Sequence, residues 1–245
     1  MKFIILSFLL SLTVSAFAQE SKTEVPVVKK FKGESEASTV VISGNTNSET
    51  YGAKTSNTYQ FSELDSASIF GKLLKTKTAG VETASAWDLG VRYERNFQVD
   101  MLSGFIQQKA EHDPYNGVYI QRDSTDLGLK YILVKADTIN WLAEAGFRNS
   151  KIYTGPTNDT VQFARLYTEI SYKLTPTSST KFWAELLPNF NNTDEYQYNA
   201  EASISVVIST MFSLKSALLL NHNHALAAPQ KKDTTTWTTA LVATY

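Results

Sequence analysis

The stretch Tyr196 to Ser209, YQYNAEASISVVIS, decides the fold. Tyr196, Tyr198, Ala200, Ala202, Ile204, Val206 and Ile208 recur at every second position. Gln197, Asn199, Glu201, Ser203, Ser205 and Ser209 fill the alternate ones, with Val207 the one exception. A strand points successive side chains to opposite faces, so this segment is a strand with one apolar and one wet side. The pattern repeats. Trp87, Leu89, Val91 and Tyr93 alternate with Asp88, Gly90, Arg92 and Glu94. Ile139 to Arg148 and Arg165 to Leu174 alternate in the same way, and helical periodicity is not sustained anywhere. Twelve strands are expected, over 33–43, 48–61, 64–75, 81–96, 99–110, 117–133, 139–152, 161–174, 179–190, 196–209, 213–224 and 235–245. The first, third and fifth alternate less cleanly, so ten is the alternative count.

The rest of the chain sets the compartment. Lys2, the apolar run Phe3 to Phe17 and the small-residue exit Ala16-Phe17-Ala18 are the parts of a secretory signal peptide, with cleavage expected after Ala18. The rival reading, a membrane anchor, needs about 20 apolar residues, more than this run holds. Three parts are therefore expected: 1–18 a signal peptide, 19–32 a short flexible periplasmic lead-in, and 33–245 the strand-built unit. The 245 residues are 42% hydrophobic with a net charge of -1, which excludes a disordered chain and gives no reason to expect nucleic acid. With no cysteine, disulfides, cysteine-bound zinc and thiol catalysis are excluded.

Alternating strands suit a soluble barrel or a membrane barrel, and three features favour the membrane. Twelve strands exceed the roughly eight whose interior side chains can fill. Charges of both signs sit at mid-strand, which suits a wet lumen. Tyr, Trp and Phe gather near strand ends, as interface girdles require. Connections after even-numbered strands are short, and several after odd-numbered ones are longer, including Glu111 to Asn116, Tyr153 to Thr160 and Ala225 to Thr234. That asymmetry fits short periplasmic turns and longer extracellular loops, with both termini in the periplasm. In the final strand Trp237, Thr239, Leu241, Ala243 and Tyr245 share a face. An amphipathic last strand ending on an aromatic residue is the form of signal read by the outer-membrane insertion machinery. The fold expected is an all-β transmembrane antiparallel barrel, porin-like, in contact with outer-membrane lipid and lipopolysaccharide.

Several short motifs resemble those of the salt-induced outer-membrane protein family, a domain of unknown function in Gram-negative bacteria. They are Ser43-Gly44-Asn45-Thr46-Asn47-Ser48-Glu49-Thr50, Tyr93-Glu94-Arg95-Asn96 through Ser103-Gly104-Phe105, Gly128-Leu129-Lys130-Tyr131 and Glu144-Ala145-Gly146-Phe147-Arg148. The resemblance implies an outer-membrane barrel associated with salt or envelope stress, and it carries over no catalytic residue.

Alternation places Lys54, Arg92, Lys130, Arg148, Arg165, Lys173, Lys181 and Lys215 in the lumen, with Asp88, Glu94, Glu144, Glu169, Glu185 and Glu201. Arg165, Glu169 and Lys173 are expected to form a charge ladder on one strand face. Fully paired, these charges close the barrel; partly unpaired, they line a narrow or gated pore for ions or small polar solutes. His222 and His224 share a face and could hold a metal together, but Leu218 and Leu220 on that face point them outward, and a third ligand is lacking nearby. An outer-membrane esterase or phospholipase is the enzymatic rival. It has no G-x-S-x-G and no histidine spaced to serve a serine on one strand face, so no enzyme and no cofactor are expected. A secreted soluble β-barrel binding protein is the other alternative.

Overall fold

The computed structural model describes residues 30–42, 47–97, 101–115, 117–155, 157–226 and 231–245. Twelve strands follow in chain order: β1 (Lys30–Ile42), β2 (Ser48–Gln60), β3 (Asp65–Thr78), β4 (Val81–Asn96), β5 (Leu102–His112) and β6 (Gln121–Lys135), then β7 (Ile139–Tyr153), β8 (Asn158–Thr175), β9 (Ser178–Pro188), β10 (Tyr196–Val207), β11 (Phe212–Asn223) and β12 (Asp233–Thr244). Each pairs antiparallel with the next, and β1 closes on β12. The count is twelve and not ten. The expected strands recur with shifted ends, and the expected signal peptide lies outside the described residues. β1 begins at Lys30, inside the expected lead-in, because Lys30, Phe31 and Lys32 pair with Gln60, Tyr59 and Thr58.

The end of the barrel that holds Tyr245 is called the lower rim, and its opposite the upper rim. Turns 61–64, 136–138, 176–177 and 208–211 lie at the lower rim, and the connection 189–195 with the described parts of the longer connections after β5 and β11 (113–115, 117–120, 224–226 and 231–232) at the upper. One upper connection is minimal. Ala79 (φ 51°) and Gly80 (φ 80°) form the two-residue turn whose twist matches the flanking strands, and only the second is a residue at ease with positive φ.

The faces are inverted relative to a soluble protein. In β10, Tyr198, Ile204 and Val206 lie exposed on the outside, while Glu201 and Ser203 are buried within. Around the outer wall Ile69, Leu73, Leu89, Val91, Leu127, Leu129, Leu214 and Leu218 are likewise exposed. A soluble barrel points such residues into its core, so this outer wall does not favour a secreted soluble β-barrel. Phe31, Tyr59, Tyr93, Tyr131, Tyr172, Phe212 and Tyr245 are exposed aromatics gathered toward the lower rim.

One close approach shapes the wall. Gly128 of β6 faces Gly146 of β7, and Phe105 of β5 covers them from inside. A Cβ at Gly146 would stand 2.5 Å from the Leu127 carbonyl oxygen and 2.9 Å from the Gly128 Cα. Both obstacles are backbone, so the strands themselves would have to move. Gly146→Ala is expected to destabilise the barrel by about 1–3 kcal/mol, measured as a lower urea midpoint for loss of the folded band on unheated gels. An unchanged midpoint would show that the wall yields there at no cost.

Candidate functional site

The inward face carries the charges. A contact between strands that are not neighbours in the sheet can only be made through the lumen, and the lumen here holds several. Arg92 of β4 donates through both terminal nitrogens to Glu144 of β7, at 2.7 and 3.2 Å. Arg148 of β7 reaches Glu185 of β9 at 3.1 Å. Lys215 of β11 passes over β12 to Glu36 of β1 at 2.8 Å.

The largest group is a chain of alternating sign. Lys130 bonds Glu94, which also receives Arg92 at 3.0 Å. Arg92 binds Glu144, and Arg165 donates to Glu144 at 2.6 Å and to Glu185 at 2.7 Å. Arg148 joins Glu185 to Asp126, which it grips bidentately with two bonds of 2.7 Å. Arg165 also lies 3.5 Å from Asp126, closing the far end on itself. Lys130, Arg92, Arg165 and Arg148 balance Glu94, Glu144, Glu185 and Asp126, so the chain is neutral. It is also dry at its heart, with Asp126 1% and Arg148 3% exposed. The Arg92 guanidinium lies 3.9 Å above the Phe105 ring, and buried Ile152, Phe163 and Leu187 complete this packed half of the interior. A cavity of about 380 Å³ at the lower mouth ends on it, lined by Lys32, Thr58, Gln60, Ser66, Glu94 and Lys130, among others.

A second group bridges the upper mouth. Arg122 of β6 holds Glu111 of β5 bidentately at 2.7 and 3.0 Å and reaches Gln197 of β10 at 3.3 Å. Tyr119, from the 113–120 connection, lies against the Arg122 guanidinium at 4.5 Å, and burial pushes its phenol above the usual range. A third group lines the other half of the wall: Glu201 with Lys215 at 3.4 Å, Glu36 with Lys54 at 3.8 Å, and Lys72 with Asp88 at 3.2 Å. Lys54 and Lys72 remain 45% and 55% exposed although both face inward, because β1, β2 and β12 line this side with small residues such as Ser38, Gly52, Ser56 and Thr238.

The structure thus places Lys54, Asp88, Arg92, Glu94, Lys130, Glu144, Arg148, Arg165, Glu185, Glu201 and Lys215 in these three groups. Glu169 binds Lys181 at 2.9 Å, and Lys173 stands exposed near the lower rim opposite Ser179. The expected ladder of Arg165, Glu169 and Lys173 does not form. Residues four apart in a strand stand about 13 Å apart at 3.3 Å per residue, so each charge turns to a neighbouring strand. Sequence alternation passed over Glu36, Lys72, Lys109, Glu111, Arg122 and Asp126. Asp126 and Arg122 share the parity of Lys130, so the signal for them was present. Glu111 falls in the expected 111–116 connection, whereas β5 runs on to His112.

Trp237, Leu241, Ala243 and Tyr245 lie on the outward face of β12. His222 and His224 also point outward, stacked on Tyr198 at 4.5 Å and on Tyr196 at 4.7 Å. His222 Nδ1 lies 2.7 Å from Asp233, and His112 stacks on Trp87. Among the described residues no cluster of metal-ligand type is assembled, and no serine hydroxyl is bonded to a histidine.

An outer membrane channel from Pseudomonas putida F1 has a similar structure, with a TM-score of 0.51 and 11% identity over 90% of this chain and 96% of that one. The NanC porin matches with a TM-score of 0.49 and 6% identity, over 88% of this chain and 98% of its own. The translocator domain of the autotransporter NalP from Neisseria meningitidis matches with a TM-score of 0.45 and 11% identity, over 88% and 86%. The first of these likenesses speaks to the fold. No curated protein matches the chain in sequence. Residues 35–245 match the family described as protein of unknown function, DUF481, and the chain belongs to that family.

Proposed function

We propose that the protein is an outer-membrane channel of narrow bore, exported by a signal peptide cleaved after Ala18 and passing ions or small polar solutes. The observation that carries this reading is the inverted barrel with an unevenly filled lumen. Apolar side chains cover the outside, which suits lipid and lipopolysaccharide as its surroundings. Inside, a neutral and dry ion-paired mass fills the β4–β9 side, while the half-exposed Lys54 and Lys72 mark a wet passage along β1–β3. The outward residues Trp237, Leu241, Ala243 and Tyr245 are the surface we assign to the insertion machinery. A channel of this kind serves envelope homeostasis, including the salt response that the family resemblance implies.

The test is single-channel current in a planar bilayer, using refolded protein whose unheated gel mobility shows a closed barrel. Discrete current steps of weak ion preference are expected, because the dominant charge group is balanced. Arg122→Ala, which removes the strut to Gln197 across the upper mouth and leaves Glu111 to Lys109 at 2.9 Å, should enlarge the steps of those barrels that fold. A folded barrel that stays silent with and without Arg122 would overturn the channel and leave a sealed envelope-integrity protein.

A further inference from the structure

The wall is not continuous. β1 and β12 pair from Glu34↔Thr244 to Ala37↔Leu241, and Gly33 and Tyr245 exchange two backbone bonds below them. Continuing that register upward would set Ser38 against Ala240, Thr39 against Thr239 and Val40 against Thr238. None of these pairs is made, although all six residues belong to strands fully paired on their other sides. The β1–β2 seam, by contrast, pairs all the way from Lys30 to Ile42. Two strand edges therefore diverge in the upper half of the wall, where bare backbone groups facing hydrocarbon would be costly.

The lips of this slot are small. Ser38, Thr238 and Ala240 face inward along it, and Gly52 lies beside Ser38. Immediately below, the inward-facing group is Glu36 with Lys54 and Lys215. Lys215 takes Glu36 at 2.8 Å, which leaves Lys54 held loosely at 3.8 Å. Lys54 also stands directly opposite Lys72 in the register of β2 and β3. Asp88 reaches Lys72 at 3.2 Å and Glu36 reaches Lys54 at 3.8 Å, and both half-exposed ammoniums keep further N–H donors to offer an anion received between them.

We infer that the divergent β1–β12 seam is a lateral opening through which an anionic amphiphile with an acyl chain passes between lumen and bilayer, its head group on Lys54 and Lys72 and its chain in the slot. The slot supplies an exit edged by the small side chains Ser38, Thr238 and Ala240, and the lysine pair supplies the charge. This rests on the reading of the chain as a barrel in a bilayer, but not on ion conduction, so its test is independent of current steps.

The probe is stearate carrying a nitroxide, added to the refolded barrel in phosphatidylcholine nanodiscs, with the matching stearyl alcohol as a neutral control. The bound fraction is read as the motionally restricted component of the spin spectrum. Restricted stearate, and little restricted alcohol, is expected. Lys54→Gln with Lys72→Gln should weaken binding about tenfold, the scale of losing a charge-assisted contact. The chain has no cysteine of its own, so Ser38→Cys with Ala240→Cys introduces the only thiols. Oxidation of that pair should abolish binding and reduction restore it, and Ala240→Trp, which fills the slot without a cross-link, should act as the locked form does. Equal binding of the alcohol, or unchanged binding in the locked and filled barrels, would overturn the proposal. A disulfide joining two chains would overturn it too, showing that a second copy occupies the edge. Unaltered current steps alongside lost stearate binding would separate the two readings.

Discussion

Asp126→Asn is expected to be the most damaging single-atom exchange in the lumen, lowering barrel stability by about 3–5 kcal/mol. Asp126 is 1% exposed and accepts two bonds from Arg148 and one of 3.2 Å from Gln107, with Arg165 3.5 Å away. An amide in its place presents hydrogens to a guanidinium that has only hydrogens to offer. The charge is lost as well, leaving two buried arginines to share Glu185 and Glu144. Breaking a buried pair costs far more than replacing the whole pair by apolar atoms. Asp126→Leu with Arg148→Met should therefore recover much of the loss, and the double-mutant cycle should show strong coupling. Equilibrium unfolding in urea, followed by the mobility of unheated samples, reads these differences.

The same substitution has an electrical consequence. The neutral chain of four cations and four anions becomes a group of four and three, with its excess positive charge beside the passage. The reversal potential in a potassium chloride gradient should shift toward chloride preference, and Arg148→Gln should shift it the other way. An Asp126→Asn barrel of unchanged stability and unchanged reversal potential would show that neither the fold nor the passage depends on this group.

Much of this was legible in the sequence, for a definite reason. Even-numbered strands such as β4 and β10 put Arg92, Glu94 and Glu201 on the inner face and Val91, Tyr93 and Ile204 on the outer, so face and strand can be read together. On β1 and β3 the same rule blurs. β1 sets Ser35, Ala37 and Thr39 on the outside, and β3 turns Phe70 and Leu74 inward, where they break the pattern around Lys72. Glu36 and Lys72 were hidden there. What alternation cannot supply is register, since partners across a lumen are fixed by how far each strand slides past its neighbours. The pairing of Arg92 with Glu144, 52 residues on, has no local signature. The failed Arg165–Glu169–Lys173 ladder shares that cause, because proximity in sequence stood in for proximity across strands.

Closure of the barrel should depend on Tyr245 more than on any other outward side chain. The ordered part of the β1–β12 seam is short, and Tyr245 sits at its base. Its backbone accepts from Gly33 at 2.7 Å and donates back at 3.0 Å. Its ring lies over Gly33 so closely that a Cβ there would stand 2.2 Å from Cε2, and it stacks on Phe31 at 6.0 Å. Its hydroxyl donates to Asn57 of β2 at 3.0 Å and meets Ser35 of β1 at 3.1 Å. One side chain thus ties three strands. Tyr245→Ala forfeits the ring contacts and both hydroxyl bonds, a loss of roughly 2–3 kcal/mol from stacking and hydrogen bonding together. Tyr245→Phe keeps the ring and should lose only about 1 kcal/mol. Gly33→Val should mimic the alanine variant, because its side chain occupies the space of the ring. The yield of heat-modifiable barrel after refolding into micelles ranks the three. Equal yields for Tyr245→Ala and the parent would mean that the backbone bonds close the seam alone. A Phe variant as poor as the Ala variant would move the clamp from the ring to the hydroxyl. The unpaired stretch from Ser38 upward makes this sensitivity specific to one seam, since every other pair of neighbouring strands is held along most of its length and tolerates the loss of a single contact.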